Sequence, residues 1–156
     1  MGQEKVDIGK HSQIGPFSTI GFTGFAFKKN KEGTDFKRPL KRMAHDYKVR
    51  IRDRVEIGQC CNIDRGSWRD TLIDNNTKID SHVYIAHDVQ IGKNCMIKAG
   101  VVIGGSCSIG HNVFIGLNAT IKDGIKIGNN STIDNGMIIM EDVPNGSIVV
   151  NKSRLL

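Results

Sequence analysis

The sequence is poor in aromatic residues, in proline and in long apolar runs. Its 156 residues include one tryptophan, two tyrosines, six phenylalanines and three prolines. No apolar run approaches the roughly 20 residues that a membrane-spanning helix needs, so no membrane span is expected. The first residues lack the apolar stretch of a secretory signal, and none is expected. The length fits one domain, residues 1–156.

The four cysteines show no metal-type spacing. Cys60 and Cys61 are adjacent, and Cys95 and Cys107 stand alone further along the chain. We interpret Cys61, Cys95 and Cys107 as reduced core side chains, because small inward-facing positions suit them. Free thiols fit a reducing compartment, so a cytoplasmic location is expected.

The net charge of +6 is spread along the chain. Such a balance suits an anionic ligand, for example a nucleotide or a coenzyme phosphate, through long-range attraction. Nucleic acid is disfavoured as a partner because aromatic residues are few and no groove-reading element is evident.

Isoleucine recurs at every sixth position over most of the chain. A period of six fits neither a helix of 3.6 residues per turn nor an alternating strand. It is typical of a parallel β-helix of hexapeptide repeats, in which three hexapeptides form one triangular coil, and about six coils are predicted. The fold class is therefore all-β. The unbroken series is Ile73, Ile79, Ile85, Ile91, Ile97, Ile103, Ile109, Ile115, Ile121, Ile127, Ile133 and Ile139, and shorter series start at Ile8 and Ile51.

The positions around each isoleucine follow the same period. A small or β-branched residue stands two positions earlier and is predicted to point inward with the isoleucine. Isoleucines eighteen residues apart should stack at the strand spacing of roughly 4.8 Å. Glycine often follows the isoleucine and is predicted to occupy a corner with positive φ. These glycines are Gly58, Gly92, Gly104, Gly110, Gly116 and Gly128.

The larger break in the repeat is a predicted projecting loop at residues 21–48. It contains Phe25 and Phe27 and is rich in lysine and arginine. It could fold over a ligand or a neighbouring subunit, or it could be a solvated loop. Beyond the repeat, residues 140–156 are predicted to form a closing segment.

The smaller break lies between Ile63 and Ile73, which are ten residues apart. It contains Arg65 and Trp68, and Trp68 could pack at a subunit seam or line a site. Phe25, Phe27, Arg65 and Trp68 are the candidate substrate-binding residues.

His87 is the candidate general base. It lies two positions after Ile85, so it should point outward near a corner, and Gly105 lies one coil of eighteen residues further on. An imidazole can accept a proton from a nucleophile, and a glycine N–H beside it can face an oxyanion. On spacing alone, His87 could equally be an ordinary surface histidine. Asp80 could orient His87 or pair with Lys98.

A zinc site of the kind found in gamma-class carbonic anhydrases is an alternative. His82 and His87 have the spacing of two ligands in that class, but zinc chemistry needs a third histidine. No histidine lies between Ile51 and Ser81, and no metal is predicted. A non-catalytic trimeric scaffold, which would need the isoleucines but not His87, is a further alternative.

Several short pieces of the chain resemble one known family. They are Asp53–Gly58, Asn62–Gly66, Asp70-Thr71, Thr77–Asp80 and Ile85–His87, with Gly24–Phe27 upstream and Gly136-Met137 downstream. The chain is thus similar to the UDP-3-O-acylglucosamine N-acyltransferases of lipid A biosynthesis. We expect it to differ from that family in having neither the N-terminal uridine-binding domain nor the C-terminal helices, and Gly124 stands where the family has a second functional histidine.

The resemblance implies a fold and an activity. The β-helix should be left-handed and homotrimeric, with His87 as the catalytic base and Gly105 as the oxyanion glycine. The expected reaction is acyl transfer from a thioester to the amine of a nucleotide-linked amino sugar. Residues 142–150 resemble the closing turn of small hexapeptide acetyltransferases, so acetyl-CoA is the predicted co-substrate and acyl carrier protein the alternative. Gly105, Lys98, Lys122 and Lys126 are the candidate cofactor-binding residues.

Overall fold

Three parallel β-sheets wind into a triangular prism in the computed structural model, which describes residues 5–28 and 40–150. Successive hexapeptides enter successive sheets, so each sheet receives every third hexapeptide. Ile79 therefore pairs with Ile97, eighteen residues on, and Ile85 pairs with Ile103. The predicted all-β fold, a parallel β-helix of about six coils, is confirmed.

The strands are short and are numbered here in chain order. Sheet A contains β1 (Val6–Ile8), β6 (Val49–Ile51), β9 (Thr71–Ile73), β12 (Gln90–Ile91), β15 (Ser108–Ile109) and β18 (Lys126–Ile127). Sheet B contains β2 (Gln13–Ile14), β7 (Glu56–Ile57), β10 (Lys78–Ile79), β13 (Met96–Ile97), β16 (Phe114–Ile115), β19 (Thr132–Ile133) and β21 (Ile148–Val149). Sheet C contains β3 (Thr19–Thr23), β8 (Asn62–Arg65), β11 (Tyr84–Ile85), β14 (Val102–Ile103), β17 (Thr120–Ile121) and β20 (Ile138–Ile139). A separate antiparallel pair joins β4 (Phe27–Lys28) to β5 (Lys41–Arg42).

The core is the stack of inward-facing isoleucines with their small partners. Ile85 and Ile103 have no exposed surface, and the interior continues from residue 49 to residue 143. Each fully buried isoleucine contributes about 1.5–3 kcal/mol of hydrophobic stabilisation. Ile8, by contrast, is 54 % exposed, because in the described chain only one coil packs against its own.

The predicted core cysteines Cys61, Cys95 and Cys107 are buried and free. Their thiols donate to carbonyl oxygens of the neighbouring coil, for example from Cys107 to Lys122 O at 3.0 Å. Burial raises the pKa of Cys107 to about 11, so this thiol stays protonated at neutral pH and behaves as a core side chain.

The glycines that follow the isoleucines do not have the predicted positive φ. The left-handed positions lie three residues after most isoleucines, and asparagine is the commonest residue there, with Asp88 and Gly100 at the same step. Gly92 is needed for another reason, since a Cβ there would lie 2.6 Å from the carbonyl oxygen of Gly110. Such glycines therefore permit close approach between coils.

The predicted loop 21–48 is described only at its two ends. Its first end continues β3, and the β4–β5 pair brings the two ends together. Residues 29–39, which include several of the predicted basic positions, lie outside the described residues, as do residues 151–156 of the predicted closing segment. Within the described residues, no helix is long and apolar enough to cross a membrane.

Candidate active site

His87 and Asp88 form a hydrogen-bonded pair at the corner between sheets C and A. His87 follows β11 and retains 21 % side-chain exposure, whereas the Asp88 carboxylate has none. The His87 Nδ1 atom lies 2.6 Å from Asp88 Oδ2. Because a carboxylate only accepts, Nδ1 carries a hydrogen, and in a neutral imidazole the lone pair then lies on Nε2. The corner therefore holds an oriented imidazole.

Four hydrogen bonds from one segment hold the Asp88 carboxylate. Its Oδ1 accepts from the backbone N–H groups of Ser67 at 2.7 Å, Trp68 at 3.0 Å and Arg69 at 3.2 Å. The Ser67 hydroxyl donates to Oδ2 at 2.6 Å. Burial disfavours the charge, but the hydrogen bonds from Ser67, His87 and the two backbone groups outweigh it and lower the pKa of Asp88 to about 2. The carboxylate is therefore ionised at neutral pH.

The smaller break in the repeat produces this cradle. Gly66 permits its tight turn, because a Cβ there would lie 1.6 Å from the carbonyl oxygen of Arg69. Asp88 itself occupies a left-handed corner with φ 64°, and its N–H donates to Thr71 Oγ1 at 2.9 Å. The segment at the smaller break thus binds the Asp88 carboxylate, through Ser67, Trp68 and Arg69. Sequence reasoning missed Asp88, although an acid directly after the candidate base was a signal.

Gly105 lies against the His87 ring, where the eighteen-residue spacing predicts it. A Cβ at Gly105 would lie 2.8 Å from His87 Cε1 and 2.9 Å from Nε2. However, the Gly105 N–H donates to Asp123 Oδ1 at 2.9 Å. This N–H has Asp123 as its acceptor in the structure, and the oxyanion role of Gly105 stays a prediction. The lack of a side chain at Gly105 permits its close approach to the imidazole.

Asp80 has Lys98 as its partner, which is one of the two alternatives that the sequence left open. The Lys98 ammonium lies 3.1 Å from Asp80 Oδ2, and the N–H of Ser81 donates to Oδ1 at 2.8 Å. The hydrogen bonds from Ser81 and Lys98 lower the pKa of Asp80. The carboxylate that orients His87 is that of Asp88, because Asp88 forms the hydrogen bond with His87 Nδ1.

His45 packs edge-to-face on His87 from the end of the predicted loop. The ring centroids are 5.2 Å apart and the planes meet at 77°. His45 is 2 % exposed, and its Nδ1 donates to Met43 O at 2.9 Å. Its Nε2 is buried without a partner in the described chain, facing Gly24, where a Cβ would lie 2.9 Å away. The loop therefore holds one face of the His87 ring. Sequence reasoning did not single out His45.

A buried acid lies in the same region of sheet C. Burial raises the pKa of Asp64, although the hydrogen bond from Tyr84 opposes this shift. The Tyr84 hydroxyl donates to Asp64 Oδ2 at 2.7 Å, and burial together with this carboxylate raises the pKa of Tyr84. This hydrogen bond fixes the positions of Asp64 and Tyr84 in sheet C near the site.

Two of the candidate substrate-binding residues border the His87 corner. The Arg65 Nε donates to His45 O at 2.5 Å, so Arg65 fixes the loop end. Trp68 is 57 % exposed, and its indole N–H donates to Ser106 Oγ at 3.2 Å.

The other predicted residues lie elsewhere. Phe25 is 79 % exposed and meets Phe27 edge-to-face at 5.0 Å, with the Arg42 guanidinium 4.6 Å from the Phe27 centroid. Lys122 and Lys126 are exposed on the coil that follows Gly105.

The zinc alternative finds no support in the described part of the chain. Among residues 5–28 and 40–150, no group of three histidine, cysteine, aspartate or glutamate side chains could hold a metal ion. His82 is exposed at its own corner, with φ 59°.

Two family descriptions match consecutive parts of the prism. Residues 70–105 match the bacterial transferase hexapeptide (six repeats), and residues 107–141 match the hexapeptide repeat of succinyl-transferase. A solved structure of a UDP-N-acetylglucosamine acyltransferase superposes with a TM-score of 0.76 at 25 % identity, covering 94 % of this chain and 53 % of that chain.

Curated relatives match about half of the chain. A probable UDP-3-O-acylglucosamine N-acyltransferase 2, mitochondrial, of Arabidopsis thaliana is 46 % identical over 78 residues, 50 % of this chain and 24 % of its own length. A UDP-3-O-acylglucosamine N-acyltransferase of Campylobacter lari is 39 % identical over 80 residues, 51 % and 24 % of the two lengths. The chain thus spans about a quarter of the length of these relatives. Residues 70–105 and 107–141 therefore match hexapeptide repeats described for transferases, and about half of the chain is similar to UDP-3-O-acylglucosamine N-acyltransferases.

Proposed function

We propose that this chain is an N-acyltransferase that moves an acyl group from a thioester to the amine of a nucleotide-linked amino sugar. The His87–Asp88 pair carries the proposal, because the carboxylate holds Nδ1 of a partly exposed ring and leaves Nε2 for the substrate. The similarity to N-acyltransferases of nucleotide sugars supports the choice of reaction and substrate class. A base is necessary because only the neutral amine can attack, and its nitrogen must lose a proton as the amide forms.

The reaction proceeds by direct attack. The amine nitrogen bonds to the thioester carbonyl carbon, and His87 Nε2 accepts the proton that the nitrogen sheds. The carbon–sulfur bond then breaks, and the thiolate takes that proton from the imidazolium to leave as a free thiol. Asp88 holds the ring by Nδ1 throughout and stabilises the imidazolium that forms between the two steps.

Gly105 contributes clearance beside the base in this mechanism. Its N–H is held by Asp123, whereas the absent side chain leaves the edge of His87 accessible. A thioester carbonyl must come within about 3–3.5 Å of the attacking amine, so free space beside the imidazole is a geometric requirement.

Acetyl-CoA is the proposed donor and a homotrimer the proposed assembly. An acyl chain on acyl carrier protein is the alternative donor, as the resemblance to UDP-3-O-acylglucosamine N-acyltransferases implies. A cytoplasmic location stays a prediction.

The test is a donor and acceptor screen with matched histidine variants. Thiol release is followed with acetyl-CoA, longer acyl-CoAs and acyl carrier protein thioesters against UDP-linked amino sugars. His87→Asn should lower kcat by roughly 10²–10⁴-fold, the usual contribution of a general base. His82→Asn, the same change at an exposed corner, should leave kcat unchanged.

The outcomes separate the alternatives. Wild-type turnover in His87→Asn would refute His87 as the base. The absence of transfer from every thioester in the wild type would refute the enzymatic proposal and favour a scaffold.

A further inference from the structure

An arginine-lined cavity of about 310 Å³ lies on the outer face of sheet A. It adjoins the His87–Asp88 corner through Arg69, whose Nε donates to Asp88 O at 2.7 Å. The lining residues are Arg50, Arg52, Arg69, Asp70, Leu72 and Gln90.

The cavity has more positive charge than its own carboxylate can neutralise. Three guanidiniums face one carboxylate, a net charge of +2. Asp70 is already engaged on both oxygens, by the Lys48 N–H at 2.9 Å and by Arg50 Nε. Arg52 lines the cavity with an exposed side chain, and no residue that the structure describes forms a hydrogen bond or ion pair with its guanidinium.

Arg69 holds its charge without any carboxylate partner among the described residues. Its Nη2 donates to the carbonyl oxygens of Ser106 and Cys107, each at 3.2 Å. The Trp68 ring lies 4.5 Å below the guanidinium. Carbonyl oxygens and an aromatic face fix the group but do not cancel its charge, so a half-buried cation is left uncompensated.

We infer that this cavity binds the diphosphate group of a substrate. Guanidinium groups recognise phosphate oxygens through paired N–H donors, and two of the three here are already immobilised. Immobilised donors lose little conformational entropy on binding, which favours affinity. The choice of diphosphate rests on the proposed function, because both a nucleotide-linked sugar and coenzyme A contain one.

The position beside the dyad gives the site a role in orientation. Arg69 contacts the backbone of Asp88, and its neighbour Trp68 contacts Ser106 next to Gly105. A diphosphate held in the cavity would tether its substrate next to the base. The neighbouring carboxylate Asp7 pairs with Lys48 at 3.3 Å, and its charge also acts on Arg50, which lies opposite it in sheet A.

Calorimetric titration with inorganic pyrophosphate, UDP and coenzyme A tests the site. Arg52→Gln should weaken binding of pyrophosphate by about tenfold or more, the usual effect of losing charged hydrogen bonds. Arg54→Gln is the matched control: it removes the same charge two residues away from an exposed corner outside the cavity. Arg52 is exposed, so its replacement should not disturb folding.

The three ligands identify the source of the diphosphate. A loss confined to UDP assigns the cavity to the acceptor, and a loss confined to coenzyme A assigns it to the donor. Equal weakening by Arg52→Gln and Arg54→Gln, or no wild-type binding of any of the three, would overturn the inference. Binding that persists in a chain without transfer activity supports the site while contradicting the proposed function.

Discussion

Replacing Asp88 by asparagine should remove activity through the tautomer of His87. The carboxylate accepts the Nδ1 hydrogen at 2.6 Å, but an amide can place its NH₂ group there and donate instead. Nδ1 would then lose its hydrogen, and Nε2 would carry it and could no longer accept a proton. We expect kcat to fall by roughly 10²–10⁴-fold with a much smaller change in KM, because the lost function acts on the reacting proton.

The same substitution should also cost stability, with a defined pH dependence. The pKa of Asp88 lies at about 2 against an ordinary 3.8. This difference corresponds to about 2 kcal/mol of folding free energy, since one pKa unit is worth about 1.4 kcal/mol. A lowered folded-state pKa stabilises above the unfolded value, so the contribution is complete above about pH 4 and disappears as the pH falls towards 2.

Urea denaturation of the wild type and of Asp88→Asn, at pH 7 and at pH 3, measures the contribution of the carboxylate to folding free energy. Steady-state kinetics at pH 7 measures the fall in kcat. Ser67→Ala is the control. It removes one hydrogen-bond donor to the Asp88 carboxylate but keeps the charge of Asp88 and its hydrogen bond with His87 Nδ1. It should therefore weaken stability and retain most of kcat. The reasoning is refuted if Asp88→Asn turns over like the wild type, or if its stability deficit is the same at both pH values.

Two further pairs of variants test the clearance beside the base and the core. Gly105→Ala would place a Cβ 2.8 Å from His87 Cε1, so kcat should fall by about tenfold or more. The control is Gly146→Ala, at a left-handed position with open space around it. It should lower the free energy of unfolding by about 1 kcal/mol and leave kcat unchanged. Ile103→Ala empties a fully buried position and should cost about 2–5 kcal/mol in thermal or urea unfolding, whereas Ile8→Ala, at 54 % exposure, should cost under about 1 kcal/mol. Equal effects within either pair would contradict the burial and contacts described above.

The sequence alone determined the prism and the meeting of His87 with Gly105. Both follow from the six-residue period, because residues eighteen apart must lie on neighbouring coils. The same period placed Cys61, Cys95 and Cys107 inside. The period led to a wrong φ for the glycines after the isoleucines. A glycine that permits close approach between coils cannot be told in sequence from a glycine that permits a left-handed backbone.

Only the tertiary structure decided the chemistry of the site. Asp80 and Asp88 are both close to His87 in the chain, but a four-residue insertion folds back over the corner and binds Asp88 alone. The Gly105 N–H finds Asp123 one coil away, and Arg50 and Arg69 meet on one face of sheet A. These contacts depend on side-chain direction and on segments outside the hexapeptide repeat. The six-residue period describes only the segments that follow the repeat.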